Sequence, residues 1–143
     1  MKEAMKIKGK LRIDLVRDGL VIETQEVDNI IVTTGKNLVA TLVAGTGTSF
    51  THMAVGSSAT SEAITDSALG TELGRVLLTG KTVADNVISY VGDFPAGTGT
   101  GTIVEAGIMN ASSSGVMLNR ATFSSVSKTA SDALKITWDV TFG

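Results

Sequence analysis

"DALKITWDVTF", residues 132–142, decides the fold class of this chain. Leu134, Ile136, Trp138, Val140 and Phe142 fall on one side of an extended backbone. Lys135, Thr137, Asp139 and Thr141 fall on the other. Successive side chains of a strand point to opposite faces, so five apolar positions at period two predict a half-buried antiparallel strand. "KLRIDLVR" (10–17) repeats the pattern with Leu11, Ile13 and Leu15 inward. Asp18-Gly19 then supplies a turn, because both residues tolerate positive φ, and "LVIETQEV" (20–27) returns as its hairpin partner.

One interval breaks the period. In "TTGKNLVATLVAG" (33–45), Leu38, Val39, Leu42 and Val43 recur at helical spacing. A short helix is expected over about 36–44, packed on a sheet or plugging one end of it. Thr34 is the expected cap at its start and Gly45 its left-handed stop. "FTHMAVG" (50–56) reads as a short strand. Residues 57–72 are small and polar and predict a long surface loop, with one helical turn near Asp66 to Leu69. "GRVLLTGK" (74–81) and "NVISYVGDF" (86–94) read as a hairpin joined by "TVAD". "TIVEAGIM" (102–109) and "GVMLNRATF" (115–123) read as another. The pattern predicts eight strands and one helix in a single all-β domain over 1–143: an antiparallel two-sheet β-sandwich of jelly-roll-like type.

Chemistry is sparse. Gly74, Gly80, Lys81 and Thr82 imitate a phosphate-binding loop, but five residues separate the glycines where four are required. The supposed loop is itself strand-like, and the following "VADNVISYV" alternates instead of starting a helix. Gly97, Gly99, Gly101 and Gly107 fail the dinucleotide spacing and read as an inter-strand loop. His52 is the only histidine and reads as a hydrogen-bonded strand residue. Glu62, Asp66 and Glu72 share the long loop without the alternate-residue spacing of a calcium loop. No cysteine is present, which excludes disulfides and thiolate metal sites. These features predict no catalytic residues, no cofactor and no metal. Glu105 stands out, because a carboxylate between Val104 and Ala106 is costly to bury without a partner. Its expected face-mates are Ile103, Gly107 and Met109. Arg75 and Arg120 are the expected partners, either as a structural pair or at a subunit contact.

Apolar residues are 43% of the chain and charged residues 18%, which favours a packed core over disorder. The formal charge of −2 argues against direct nucleic-acid binding. No apolar run approaches the ~20 residues of a membrane span, and the charged N-terminus lacks the apolar stretch of a signal peptide. Charge is uneven, however. Residues 1–17 hold six basic residues, Lys2, Lys6 and Lys8 among them, against Glu3 and Asp14. Two readings fit: a basic N-terminal arm, about residues 1–8, that docks on an acidic partner, or a solvated first strand with its lysines outward.

The order of "VDNIIVTTGKNLVATLVAG" (27–45), "THMAVG" (51–56), "TDSALGTELGR" (65–75) and the segment 102–142 resembles a group of small tailed-bacteriophage virion proteins. These are described as capsid cement or decoration proteins and as tail-fibre-like structural proteins. The clearest pieces are Thr65 to Gly70, Glu105 to Asn110 and Leu134 to Trp138. The resemblance implies a non-enzymatic virion component and leaves head and tail open. Its cement form implies a homo-oligomer, dimer or trimer, on the major capsid protein shell. Lys2, Lys6, Lys8, Glu62, Asp66 and Glu72 are then the expected interface residues. Its tail form implies a module contacting the host surface. The failed phosphate-loop spacing sets one expectation: calorimetric titration with ATP or GTP yields no saturable binding, and Lys81→Ala changes nothing.

Overall fold

The period-two segments pair as strands. The computed structural model describes residues 5–143. Among them are β1 (Ile7–Arg17), β2 (Leu20–Asp28), β3 (Ile30–Ile31), α1 (Thr33–Val43), β4 (His52–Gly56), β5 (Glu72–Leu77), β6 (Gly80–Ala84), β7 (Val87–Phe94), β8 (Gly101–Met109), β9 (Met117–Lys128) and β10 (Ala133–Phe142). Two five-stranded sheets form, in the orders β2-β1-β10-β7-β6 and β3-β9-β8-β4-β5, with every pairing antiparallel. This is the two-sheet sandwich that the alternation predicts. The chain visits the sheets in the runs β1–β2, β3–β5, β6–β7, β8–β9 and β10, so the winding differs from the strand-by-strand alternation of a jelly roll.

The faces of the first sheet follow the sequence. Leu11, Ile13 and Leu15 of β1 and Leu134, Ile136, Trp138 and Val140 of β10 are buried against the second sheet. The outward residues of β1 meet opposite charges. Lys10 lies in register between Asp28 and Asp139, and its Nζ is 3.6 Å from Glu26. The solvated-strand reading therefore holds for this stretch of the basic segment. Asp18 and Gly19 both take positive φ and form the tight β1–β2 turn.

Three expectations need correction. The segment 74–81 is not one strand. Its first half is β5, paired with β4 in the second sheet. The chain then crosses at Leu78-Thr79, and Gly80 opens β6 in the first sheet. Three residues of the supposed "TVAD" turn extend β6, and Asp85-Asn86 makes the turn. The consecutive apolar residues Val76 to Leu78 carry no alternation to mark where one sheet is left for the other, and the two halves of 74–81 serve different sheets. The helix starts earlier than expected. Val32 is its N-cap, without a side-chain cap bond, and Thr34 lies inside the first turn. Gly45 does stop it, at φ 87°. Gly35 explains the placement: a Cβ there would collide with the backbone of Leu118, so only glycine lets α1 lie this close to β9. No helical turn forms at Asp66 to Leu69. A tight turn closes instead at residues 63–66, where Asp66 N donates to the Ala63 carbonyl (3.0 Å) and Asp66 Oδ2 accepts from Ala63 N (2.9 Å).

Polar groups pin the two sheets together. Trp138 Nε1 of the first sheet donates to Asn29 Oδ1 (2.6 Å), and Asn119 Nδ2 of the second donates to the same oxygen (3.1 Å). Asn119 Oδ1 in turn accepts from Ile108 N (3.1 Å). Asn29 sits where the chain passes from β2 to β3, the crossover between sheets. An indole only donates, so Trp138 fixes which end of the Asn29 amide faces it. The Asn29 Nδ2 is left buried without an acceptor. At another corner Arg17 Nε and Nη2 hold both oxygens of the buried Asp132 (2.9 and 3.0 Å), and Thr129 N adds a third bond (2.9 Å).

Two predictions follow from this packing. Trp138→Ala removes the largest buried side chain and its bond to Asn29. Such truncations cost about 3–5 kcal/mol, which denaturant titration will show as a lower midpoint. The second concerns acid. The Arg17 bond, then Thr129 N–H, hold the Asp132 carboxyl well below the usual carboxylate range despite its burial. A carboxyl with a depressed folded-state pKa stabilises the fold fully above its unfolded value, ~3.9, and loses that contribution as pH falls toward the folded value. Asp132→Asn is expected to lower the melting temperature at neutral pH. Its melting temperature should then fall less steeply than the parent's below about pH 4.

Candidate functional site

The site begins at an irregularity in β8. The β8–β9 ladder shifts register between Ile103 and Glu105. Ile103, Ala106 and Ile108 all enter the main core, while Glu105 turns to the outer side of the second sheet. Ile103 is therefore not its face-mate, contrary to the expectation from strict alternation. Loop 57–71 lies across this outer side and buries it. Leu69 of the loop closes a small second core with Val32, Ala54, Met109 and Met117.

Glu105 is fully buried and meets four donors. Its Oε1 accepts from Gly70 N (2.8 Å) and Arg120 Nε (3.0 Å). Its Oε2 accepts from Ser58 N and Thr71 N (2.9 Å each). Arg120, in register with Gly107 on the neighbouring strand, spends its other nitrogens on the loop. Nη1 reaches Asp66 Oδ2 (3.1 Å) and Nη2 reaches the Ser58 carbonyl (3.4 Å). Glu62 Oε2 accepts from Thr122 Oγ1 on the same outer face. Gly56 completes the fit, since a Cβ there would run into Glu105 Oε2 and the Thr71 carbonyl. Of the two partners expected for Glu105, the structure selects Arg120 and makes the pair structural within one chain. Arg75 instead grips Glu72 (2.7 and 3.1 Å) and the carbonyls of Ala111 and Ser114 (2.9 Å each).

The expected interface residues thus divide. Glu62, Asp66 and Glu72 spend carboxylate oxygens on intramolecular bonds, and Glu72 belongs to β5 rather than the loop. The loop is tied to the sheet at Ser58, Glu62, Asp66, Gly70 and Thr71, so it is not a free arm. Lys2 lies outside the described residues. Lys6 and Lys8 are exposed at the start of β1, and Lys36 of α1 joins them in one groove with Met5 and Ile7. Sequence reading missed Lys36 because it lies on a separate element, one turn into a helix.

The other chemical candidates settle into the framework. Lys81 is in β6, and its Nζ donates to the Phe50 carbonyl (3.0 Å). His52 Nδ1 lies 2.7 Å from Thr51 Oγ1. Among the described residues, no group of three or more His, Asp or Glu is placed to hold a metal ion. No described helix is long and apolar enough to cross a membrane. Comparison of the chain with protein-family models, with curated proteins and with solved structures gives no match.

Removing one partner of a buried ion pair leaves an uncompensated charge and costs about 3–5 kcal/mol. Arg120→Met is therefore expected to lower stability by that order and to free the loop. Limited proteolysis should then cut within residues 57–71 at protease doses that leave the parent intact. Cleavage elsewhere first would contradict the tethering role.

Proposed function

We propose that this chain is a non-enzymatic structural protein of a tailed-bacteriophage virion. In this reading it is a capsid cement or decoration protein that binds the major capsid protein shell as a homo-oligomer. What supports the reading is the place of the residues that carry the resemblance. Thr65 to Gly70 and Glu105 to Asn110 are far apart in sequence, yet they are the two halves of one buried network, joined by Gly70 N to Glu105 Oε1. Leu134 to Trp138 is the centre of the core strand. The resemblance therefore rests on framework residues, as suits a scaffold protein.

A cement protein needs a rigid body and contacts multiplied by copy number. The twice-pinned sandwich serves the first need. For the second, the groove of Lys6, Lys8 and Lys36 presents three ammonium groups to an acidic capsid surface. Sugar recognition by a tail module draws on exposed aromatic rings, and here the single Trp and the single Tyr are both buried. That placement favours the shell over the host-surface reading.

The copy number in purified virions tests the proposal. A number that scales with the capsomers fits cement, and a handful located at the tail overturns it in favour of the tail module. Binding of free protein to stripped shells should weaken as salt rises. The double reversal Lys6→Glu, Lys8→Glu should weaken it further and leave the melting temperature unchanged. Shell binding that ignores both salt and the reversal would remove the lysine groove from the interface.

A further inference from the structure

The start of β1 has a partner strand on one side only. Consecutive residues of an antiparallel ladder aim their N–H and C=O groups to opposite sides, and three bonds fix the phase here. Gly143 N donates to the Lys6 carbonyl (2.7 Å), so Lys6 faces β10. Asn29 N donates to the Gly9 carbonyl (3.2 Å), so Gly9 faces the other way. Ile7 shares the side of Gly9. Its opposite residue, Phe142, accordingly turns its N–H away, to the Asn86 carbonyl (2.9 Å). The β2 ladder stops at the pair Lys10–Asp28. The N–H and C=O of Ile7 therefore have no hydrogen-bond partner among the described residues.

The lysine groove lies at this edge. It has a volume of about 490 Å³ and is lined by Met5, Lys6, Ile7, Lys8 and Lys36, with no carboxylate among them. All three lysines are exposed, and none forms an ion pair among the described residues. Lys8 also borders a hollow with Asp28 and Asp139 and pairs with neither. Ile7 is half-buried and packs on the main core. An open backbone amide and carbonyl, an apolar floor and unmatched positive charge thus meet in one place. An unpaired strand edge is a template for another strand, and lysine beside it guards against most of them. The same lysines favour a strand that carries acid.

We infer that the edge at Ile7 takes an extended acidic segment of a partner protein as an added strand, with the side-chain order acid, apolar, acid. The order follows from the pleat. The residue laid opposite Ile7 shares its face, and side chains directly across a ladder are neighbours, so an apolar one fits there. The residues on either side of it point to the other face, the face of Lys6 and Lys8. Carboxylates at those two places meet the ammonium groups, and Lys36 adds to the same field from α1. A small anion would meet the lysines and leave the backbone of Ile7 unsatisfied. An added strand satisfies both, since its own N–H and C=O groups continue the ladder. The inference rests on the proposed reading of the lysine groove as the partner face, and it names what that partner brings to it.

The full chain and a blocked, dye-labelled peptide, Thr-Glu-Val-Glu-Thr, test this with no virion component present. Fluorescence anisotropy at low salt should show saturable binding in the submillimolar range. The double variant Lys8→Glu, Lys36→Glu should raise the dissociation constant by about tenfold or more. Both lysines are exposed, so the far-ultraviolet circular dichroism of the parent should persist. Hydrogen exchange read by nuclear magnetic resonance follows the Ile7 amide itself, which should exchange about tenfold more slowly when the peptide is saturating. The same peptide with every amide N-methylated keeps its charges and loses its donors, so it should bind more weakly. Absence of saturable binding at millimolar peptide overturns the inference. So does equal binding of the two peptides with the Ile7 amide unprotected, which would mark the groove as a plain electrostatic patch. Copy number in the virion does not enter this result, so either reading can fail alone.

Discussion

Glu105 puts a negative charge on a strand that is closed to water on both sides, and the outer half of the second sheet is organised around satisfying it. An unpaired carboxylate at that depth would cost several kcal/mol. Four donors remove that cost, three of them backbone N–H groups that only a loop can bring. Loop 57–71 must therefore lie down across β8 and β9, and in doing so it delivers Leu69 to the second small core. Arg120 then needs partners for its own outer nitrogens and takes them from the same loop. Such a network adds little net stability over an apolar equivalent. What it does here is allow the loop a single conformation, since any other leaves a charge or several amides unmet.

A different kind of polar contact governs the space between the sheets. Asn29 takes one hydrogen bond from each sheet at the point where the chain itself passes between them. The apolar core sets how much area is buried, but apolar contacts slide easily. The directional bonds at Asn29 fix the sheets' lateral position, at the expense of one buried amide nitrogen without an acceptor. Arg17 and Asp132 do similar work between the first hairpin and the β9–β10 turn.

Much of the fold was legible because its strands keep period two wherever one face meets solvent. The alternation in β1 and β10 gives their buried faces, and Gly45 marks the helix stop. Legibility failed where the pattern loses that contrast. Residues 74–81 are shared by two sheets, and three consecutive apolar residues, Val76 to Leu78, lose the alternation that would mark the change of sheet just after them. Around Glu105 the ladder shifts, so the face count started at Ile103 carries over wrongly. The oddity of Glu105 is visible in its apolar strand segment, between Val104 and Ala106, and Arg120 is one of two basic candidates. The backbone donors that complete the site were not, because every residue has an N–H and only tertiary structure aims it. Lys36 was hidden for a related reason: the helix brings it to Lys6 and Lys8 through space.

The pairing of Ile7 with Phe142 has a mechanical consequence. β1 and β10 are antiparallel neighbours inside the first sheet, and their outer ends lie at the same edge. Tension drawn through both strand ends would part their ladder one rung at a time, the weak mode of loading for a sheet. A pull applied instead from the β1–β2 hairpin to the opposite end of β10 would load many rungs together. A body of this shape resists force best when it is held by its hairpins and grooves, and worst when it is held by its two strand ends.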